Sequence, residues 1–302
     1  MYIENAYLGK NPKWLYVIPP FVFFAITGLD FVVSKMLNAN VEQMLGTSIQ
    51  KKGELQVFTE LMLPFLVFFV VLFLWVRYIH GQPIRAFTTS RAKVDWKRFF
   101  FAFFLWGGVI TAMTIGDYIA NPENFVWNFQ PEKFVTLLLL AVLFIPFQAG
   151  FEEYFFRGYL MQGLGLFVKN RWLPLFFTSI TFGLVHISNP EVAKLGYLTL
   201  IYYIGTGFFL GIVTLMDEGL ELALGFHIAN NLFSAILVST DWTVFRLPAL
   251  LRDVSAPSMG VEVFFPLLLF VLLLFIFSRK YGWTNWKEKL SGKVHSEKEF
   301  FE

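Results

Sequence analysis

The sequence contains no cysteine. That removes disulfides, thiolate nucleophiles, Cys-ligated metals and lipidation on the chain's own cysteines. Charge is scarce as well. Asp, Glu, Lys and Arg make up 15% of the 302 residues, where a soluble domain carries about 25%. The net charge of +2 lacks the basic excess that would point to a nucleic-acid partner. No internal repeat, Gly/Ser linker or low-complexity tract interrupts the chain. Met1–Lys13 is polar, and the first apolar run holds Pro19 and Pro20 with no small-residue cleavage site after it. That run is therefore expected to be a retained span rather than a removable signal peptide.

Apolar residues are abundant: 56% of the chain is hydrophobic and Phe alone occurs 39 times. They cluster in runs near the roughly 20 residues that a bilayer span needs. Eight spans are expected, near Trp14–Val33, Leu61–Ile79, Phe99–Ile115, Phe134–Ala149, Trp172–Ser188, Leu195–Met216, Leu220–Val238 and Val261–Ser278. The fourth is short unless it continues past Gly150. The fold class is thus all-α, a polytopic membrane bundle with a core from the fourth to the seventh span. One membrane domain (1–282) and a polar tail (283–302), either a short helix or disordered, account for the chain. Of the 24 Lys and Arg residues, 17 fall on the side of the termini and of the loop Arg77–Arg98, and 7 on the other. Positive loops stay inside, so both termini are expected in the cytoplasm. The acidic Asp217–Glu218 loop dissents, having no positive charge beside it. These acids and Glu221 read as N-terminal dipole partners of the seventh helix, and the basic loop as topological and lipid-facing.

Ionisable groups inside spans are costly, and the second half of the chain concentrates them. Glu152, Glu153 and Arg157 follow the fourth run. Glu153 and Arg157 are four apart on one helical face, in the favourable order for an ion pair, which leaves Glu152 free. An interfacial cluster closing a span is the plainer alternative. Phe182 and His186 end the fifth span, where a His is commonly just packed. His227 and Asn231, also four apart, lie within the seventh span beside Asn230 and Ser234. Such groups need internal partners, and bonding between helices would supply them. Together, a carboxylate, two imidazoles and a carboxamide on three spans suit the activation of water. A Glu serves as general base. Imidazoles position water, bind a metal or stabilise an oxyanion, and an Asn donates to one.

In Glu152-Glu153-x-x-x-Arg157, Phe182-x-x-x-His186 and His227-x-x-x-Asn231 the sequence resembles the CAAX protease and bacteriocin-processing family of intramembrane proteases, also called the abortive-infection family. The resemblance covers about Phe134 to Thr240. It implies hydrolysis of a peptide bond in a membrane-associated or lipidated substrate, within a cavity formed by four or more helices. Glu152 would activate water, and His186 and His227 would position it or bind metal. Asn231 would stabilise the oxyanion, and Glu153 and Arg157 would clamp the motif helix. Zinc through Glu152, His186 and His227 stays open, although the chain has no His-Glu-x-x-His. The catalytic side chains are expected to converge near the face that carries the termini, in the inner membrane of a bacterium. Two other readings compete: a non-catalytic scaffold or immunity protein with the same fold, and a proton-coupled transporter.

Overall fold

The computed structural model describes residues 1–36, 40–258 and 264–302, and the chain is 76% helical with little sheet. In chain order the helices are α1 (Ile18–Met36), α2 (Val41–Lys52), α3 (Glu54–Leu74), α4 (Ile84–Thr88), α5 (Trp96–Ala120), α6 (Pro131–Glu153) and α7 (Met161–Val168), then α8 (Trp172–Leu184), α9 (Pro190–Leu195), α10 (Leu200–Asp217), α11 (Glu221–Leu237), α12 (Phe265–Tyr281), α13 (Trp286–Ser291) and α14 (Glu297–Phe301). Local chemistry sets several of the boundaries. Asn40 caps α2 by accepting from the Gln43 amide at 3.0 Å, and Asp95 caps α5 through the Lys97 amide at 3.0 Å. Gly53, at φ 86°, ends α2 in a backbone region that other residues enter at a cost, and α3 begins at once. Pro131 opens α6 at a position where its missing N–H is not needed.

The all-α membrane bundle is the architecture observed. Five stretches among the described residues are long and apolar enough to cross a bilayer: Lys13–Val33, Glu54–Ile79, Trp96–Ala120, Pro131–Val168 and Tyr197–Asp217. The fourth expected span does not stop at Ala149. It continues through Glu153 and a π-helical turn at Tyr154–Leu160 into α7, a path of 38 residues. The other three expected spans are helical but shorter, with 13 residues in α8 and 17 each in α11 and α12. Seventeen residues rise about 25 Å, against a hydrocarbon core of about 30 Å. Val261, where the eighth span was expected to begin, lies outside the described residues.

At the centre of the bundle α11 packs along α5 and touches α6 and α10; α10 also packs on α8 and α12, and α3 on α6. The abundant Phe residues divide between two environments. Phe155, Phe156, Phe226 and Phe277 are buried between helices, whereas Phe21, Phe104 and Phe275 face outward, where lipid would be. At the end remote from the termini, β3 (Leu251–Asp253) pairs antiparallel with β1 (Phe125–Trp127) and parallel with β2 (Val238–Thr240). This small sheet ties the α5–α6 connection to the one after α11.

The end that carries the termini departs from the sequence reading. Arg91 and Arg98 do not face lipid. Arg91 pairs with Asp217 at 2.9 Å and with Glu221 at 3.1 Å, and Arg98 pairs with Asp217 as well. The acidic loop that lacked positive charge in sequence receives it across space, which also neutralises Asp217 at the C-terminus of α10, where an acid opposes the helix dipole. The polar N-terminus is buried too. Ile3–Leu8 forms a 3-10 helix with Tyr2, Ile3, Glu4 and Asn5 inside. The tail from Trp283 folds against the body through α13 and α14, with Val294 fully buried.

Candidate active site

Three elements deliver the polar side chains to one place. On α6, Gln148 and Glu152 are one turn apart, and Glu153 follows. The π-helical turn adds Arg157, and such turns recur at functional positions. From α8 and the turn after it come Phe182 and His186, and from α11 come His227, Asn230 and Asn231. Gln148, Glu152, His186, His227 and Asn231 all line a cavity of about 490 Å³. Glu153 and Arg157 lie behind its floor, fully buried.

The floor is a charged layer in which Glu152 Oε2, Glu153 Oε2 and Arg157 Nε have no hydrogen-bond partner among the described residues. Arg157 donates to Glu153 Oε1 at 2.8 Å and to the Gly207 carbonyl at 3.1 Å. Its guanidinium lies 4.2 Å from the Phe182 ring centroid, which gives the motif phenylalanine a role the sequence left blank. Glu153 Oε1 also stands 2.8 Å from His227 Nδ1. An ionised carboxylate can only accept, so Nδ1 carries the hydrogen, and Nε2 faces Glu152 Oε2, 3.4 Å away. Glu153 is therefore more than a clamp for Arg157: it fixes the tautomer and orientation of His227.

Glu152 ends a directed run of hydrogen bonds. Trp106 Nε1 can only donate, and does so to Asn230 Oδ1 at 3.0 Å. Asn230 Nδ2 then donates to Asn231 Oδ1 at 3.1 Å, Asn231 Nδ2 to Gln148 Oε1 at 2.7 Å, and Gln148 Nε2 to Glu152 Oε1 at 2.7 Å. A donor-only indole at one end and a carboxylate at the other set the direction of all three amides. Glu152 Oε1 is thus occupied, while Oε2 is buried without a hydrogen-bond partner among the described residues. Oε2 and His227 Nε2 face each other, an arrangement that a proton held between them, or a water shared with a neutral ring, satisfies.

His186 Nδ1 donates to the Phe182 carbonyl at 2.8 Å, which leaves Nε2 as an acceptor. Its ring stacks on Tyr203 at 4.2 Å and 15°. Tyr203 donates to Glu191 Oε1 at 2.5 Å, Asn189 donates to the same oxygen at 3.0 Å, and all three side chains line the cavity. The donor chemistry of Glu152, His186 and His227 would suit zinc. Among the described residues no three His, Asp or Glu side chains are grouped to hold a metal ion.

The structure brings Glu152, His186, His227 and Asn231 together as lining and Glu153–Arg157 as support. It moves the cavity, however, away from the face of the termini. Met62 lies in the first half of α3, Ile110 and Thr114 in the second half of α5, and Tyr202 and Tyr203 at the start of α10. All of these are the halves remote from the termini, because the terminal side below Glu153 is filled by Tyr154, Phe155, Phe156 and Tyr159. Sequence reasoning missed Gln148, Trp106, Tyr203 and Glu191. Gln148 left a signal, an amide in an apolar run one helical turn before Glu152; the others left none.

Residues 131–233 match the model of the family described as type II CAAX prenyl endopeptidase Rce1-like. The matched segment holds every motif residue from Glu152 to Asn231, so the resemblance read from the three motifs is shown there. That family is one of CAAX-type proteases, and the match spans 103 of the 302 residues. The chain is also 28% identical to the uncharacterized protein YyaK of Bacillus subtilis (strain 168) over 275 residues, covering 85% of this chain and 88% of that one. No solved structure matches the chain.

Proposed function

We propose that the chain is an intramembrane endopeptidase that hydrolyses a peptide bond in a membrane-associated or lipidated protein, in the cell membrane of a bacterium with both termini in the cytoplasm. The observation that carries this reading is the unpartnered Glu152 Oε2 beside His227 Nε2, 3.4 Å apart at the floor of the cavity; with the ring neutral, both are acceptors. Together they accept both hydrogens of one water and leave its lone pair for the carbonyl carbon. Glu152 takes a proton as the water oxygen bonds to that carbon. The proton then passes to the amine as the C–N bond breaks, so one glutamate serves as base and then as acid. Asn231 has given one amide hydrogen to Gln148 and has a second for the oxyanion. His186, with Nε2 as an acceptor, holds water or a substrate N–H.

The deciding experiment reconstitutes wild type and Glu152→Gln in liposomes with a panel of prenylated and plain membrane peptides, read by mass spectrometry. Wild type is expected to cut at least one peptide, and Glu152→Gln to lose about 10²–10⁴-fold in rate, the usual worth of a positioned base. Chelator is expected to leave the rate unchanged; loss on chelation and rescue by zinc would return the metal to the site. A folded wild type that cuts nothing would favour the scaffold, and substrate flux that needs Glu152 without cleavage would favour the carrier.

A further inference from the structure

We infer that the cavity receives its substrate from the membrane face opposite the termini, so that the bond it cuts belongs to a segment that has already left the cytoplasm. This rests on the protease reading above and narrows its substrate class to exported or outward-facing membrane peptides.

Three observations converge. First, the cavity lining runs from the buried motif residues toward the end remote from the termini. α11 starts at the terminal end, where Glu221 meets Arg91, then contributes His227, Asn231, Ser234 and Leu237 in order, and the chain reaches the rim at Thr243. From His227 to Leu237 the helix rises about 15 Å, roughly half of the hydrocarbon thickness. α10 runs the other way and agrees. Tyr202, Tyr203 and Thr206, near its start, line the cavity, while its last residue, Asp217, sits in the Arg91 and Arg98 cluster.

Second, the terminal end is sealed. Below the buried Glu153–Arg157 pair, Tyr159 donates to the Leu15 carbonyl at 2.6 Å and meets His80 at 2.9 Å. The N-terminal 3-10 helix lies further out, held by Asn5 on the Ala86 carbonyl at 2.9 Å and by Glu4 on Arg171. A peptide approaching from that side would have to displace this packing.

Third, the sealed end is the basic one: setting aside Arg157, which is buried at the cavity floor, 16 of the 24 Lys and Arg residues lie on its side. The loop-charge rule places that side in the cytoplasm, and the mouth therefore faces outward. A prenylated C-terminus waiting in the cytosol would meet the closed end.

The absence of cysteine allows a direct test by single-cysteine labelling of the full chain in bacterial cells. Ser234→Cys and Thr243→Cys report the cavity and its rim; Lys287→Cys and Lys298→Cys, both exposed, report the sealed end. A membrane-impermeant thiol reagent is added to intact cells, and again after permeabilisation. The first pair is expected to label in intact cells and the second pair only after permeabilisation. Labelling of Ser234→Cys and Thr243→Cys only after permeabilisation, or of both pairs from one side, would overturn the inference. Labelling does not depend on cleavage, so this result stands apart from the peptide assay: an outward mouth on a protein that cuts nothing would sink the protease reading alone.

Discussion

At the scale of single residues, the site is organised by which lone pairs are already in use. Glu152 and Glu153 are neighbours in sequence with opposite duties. Glu153 commits Oε1 to both Arg157 and His227 and lies behind the floor, whereas Glu152 lines the cavity and keeps Oε2 uncommitted there. Gln148 maintains that difference, because it fills Glu152 Oε1 and is itself filled by Asn231. Gln148→Leu is close to isosteric but removes both bonds, which frees the carboxylate to rotate. A misplacement of about 1 Å costs on the order of 10²-fold in a positioned reaction, so the expected result is a fall of that size in kcat with little change in KM. An unchanged kcat would mean that the run of amides is packing only. The site was legible in sequence where its geometry is local: Glu153–Arg157 and His227–Asn231 are i,i+4 pairs, and a helix alone places them on one face. Tyr203 and Glu191 were illegible, because their relation to His186 is made by the turn after α8 and has no periodic signature.

At the scale of elements, the approach of α5 to α11 decides whether His227 and Asn231 reach the cavity. Gly225 and Ala229, four apart on α11, give it a small-residue stripe of the kind that lets helices in lipid come close. A Cβ at Gly225 would overlap the carbonyl oxygen of Phe99 on α5, and a backbone atom cannot rotate aside. Ala is favoured over Gly in a helix by about 1 kcal/mol, but overpacking costs about 1–3 kcal/mol. Steric overlap with backbone should win, and Gly225→Ala is expected to lower the thermal midpoint in detergent. Gly108→Ala, on α5 with open space at its Cβ, is the matched control and should hold or raise it. Equal midpoints for the two variants would mean that the helices can separate without loss. Runs of apolar residues gave the existence of these helices but not their contacts. The continuation of α6 past Ala149 likewise depended on Glu152, Glu153 and Arg157 finding buried partners, which an apolar count treats as an end.

At the scale of the whole molecule, the two ends of the chain close the face opposite the cavity mouth. Glu4 accepts from Arg171 and from the His295 amide, Tyr7 donates to the His295 carbonyl at 3.0 Å, and the Val294 amide donates to the Lys169 carbonyl at 3.0 Å. Residues from the start, middle and end of the sequence thus meet around one buried ion pair, with Arg171 only 1% exposed and Glu4 fully buried. A charge count sees only that this end is basic; that it is also folded shut comes from pairings nearly 300 positions apart, which no local pattern encodes. Removing one partner of a buried pair leaves the other charge uncompensated, at a cost of about 3–5 kcal/mol, more than the pair itself contributes. Glu4→Ala is therefore expected to destabilise the protein in detergent by about that amount. Replacing both members, as in Glu4→Leu with Arg171→Met, should recover much of the loss because no orphaned charge remains. Thermal unfolding of the single and double variants checks this directly. If Glu4→Ala unfolds at the wild-type temperature, the terminal segment is not part of the seal, and the closed face has to be held by the Tyr159 and His80 contacts alone.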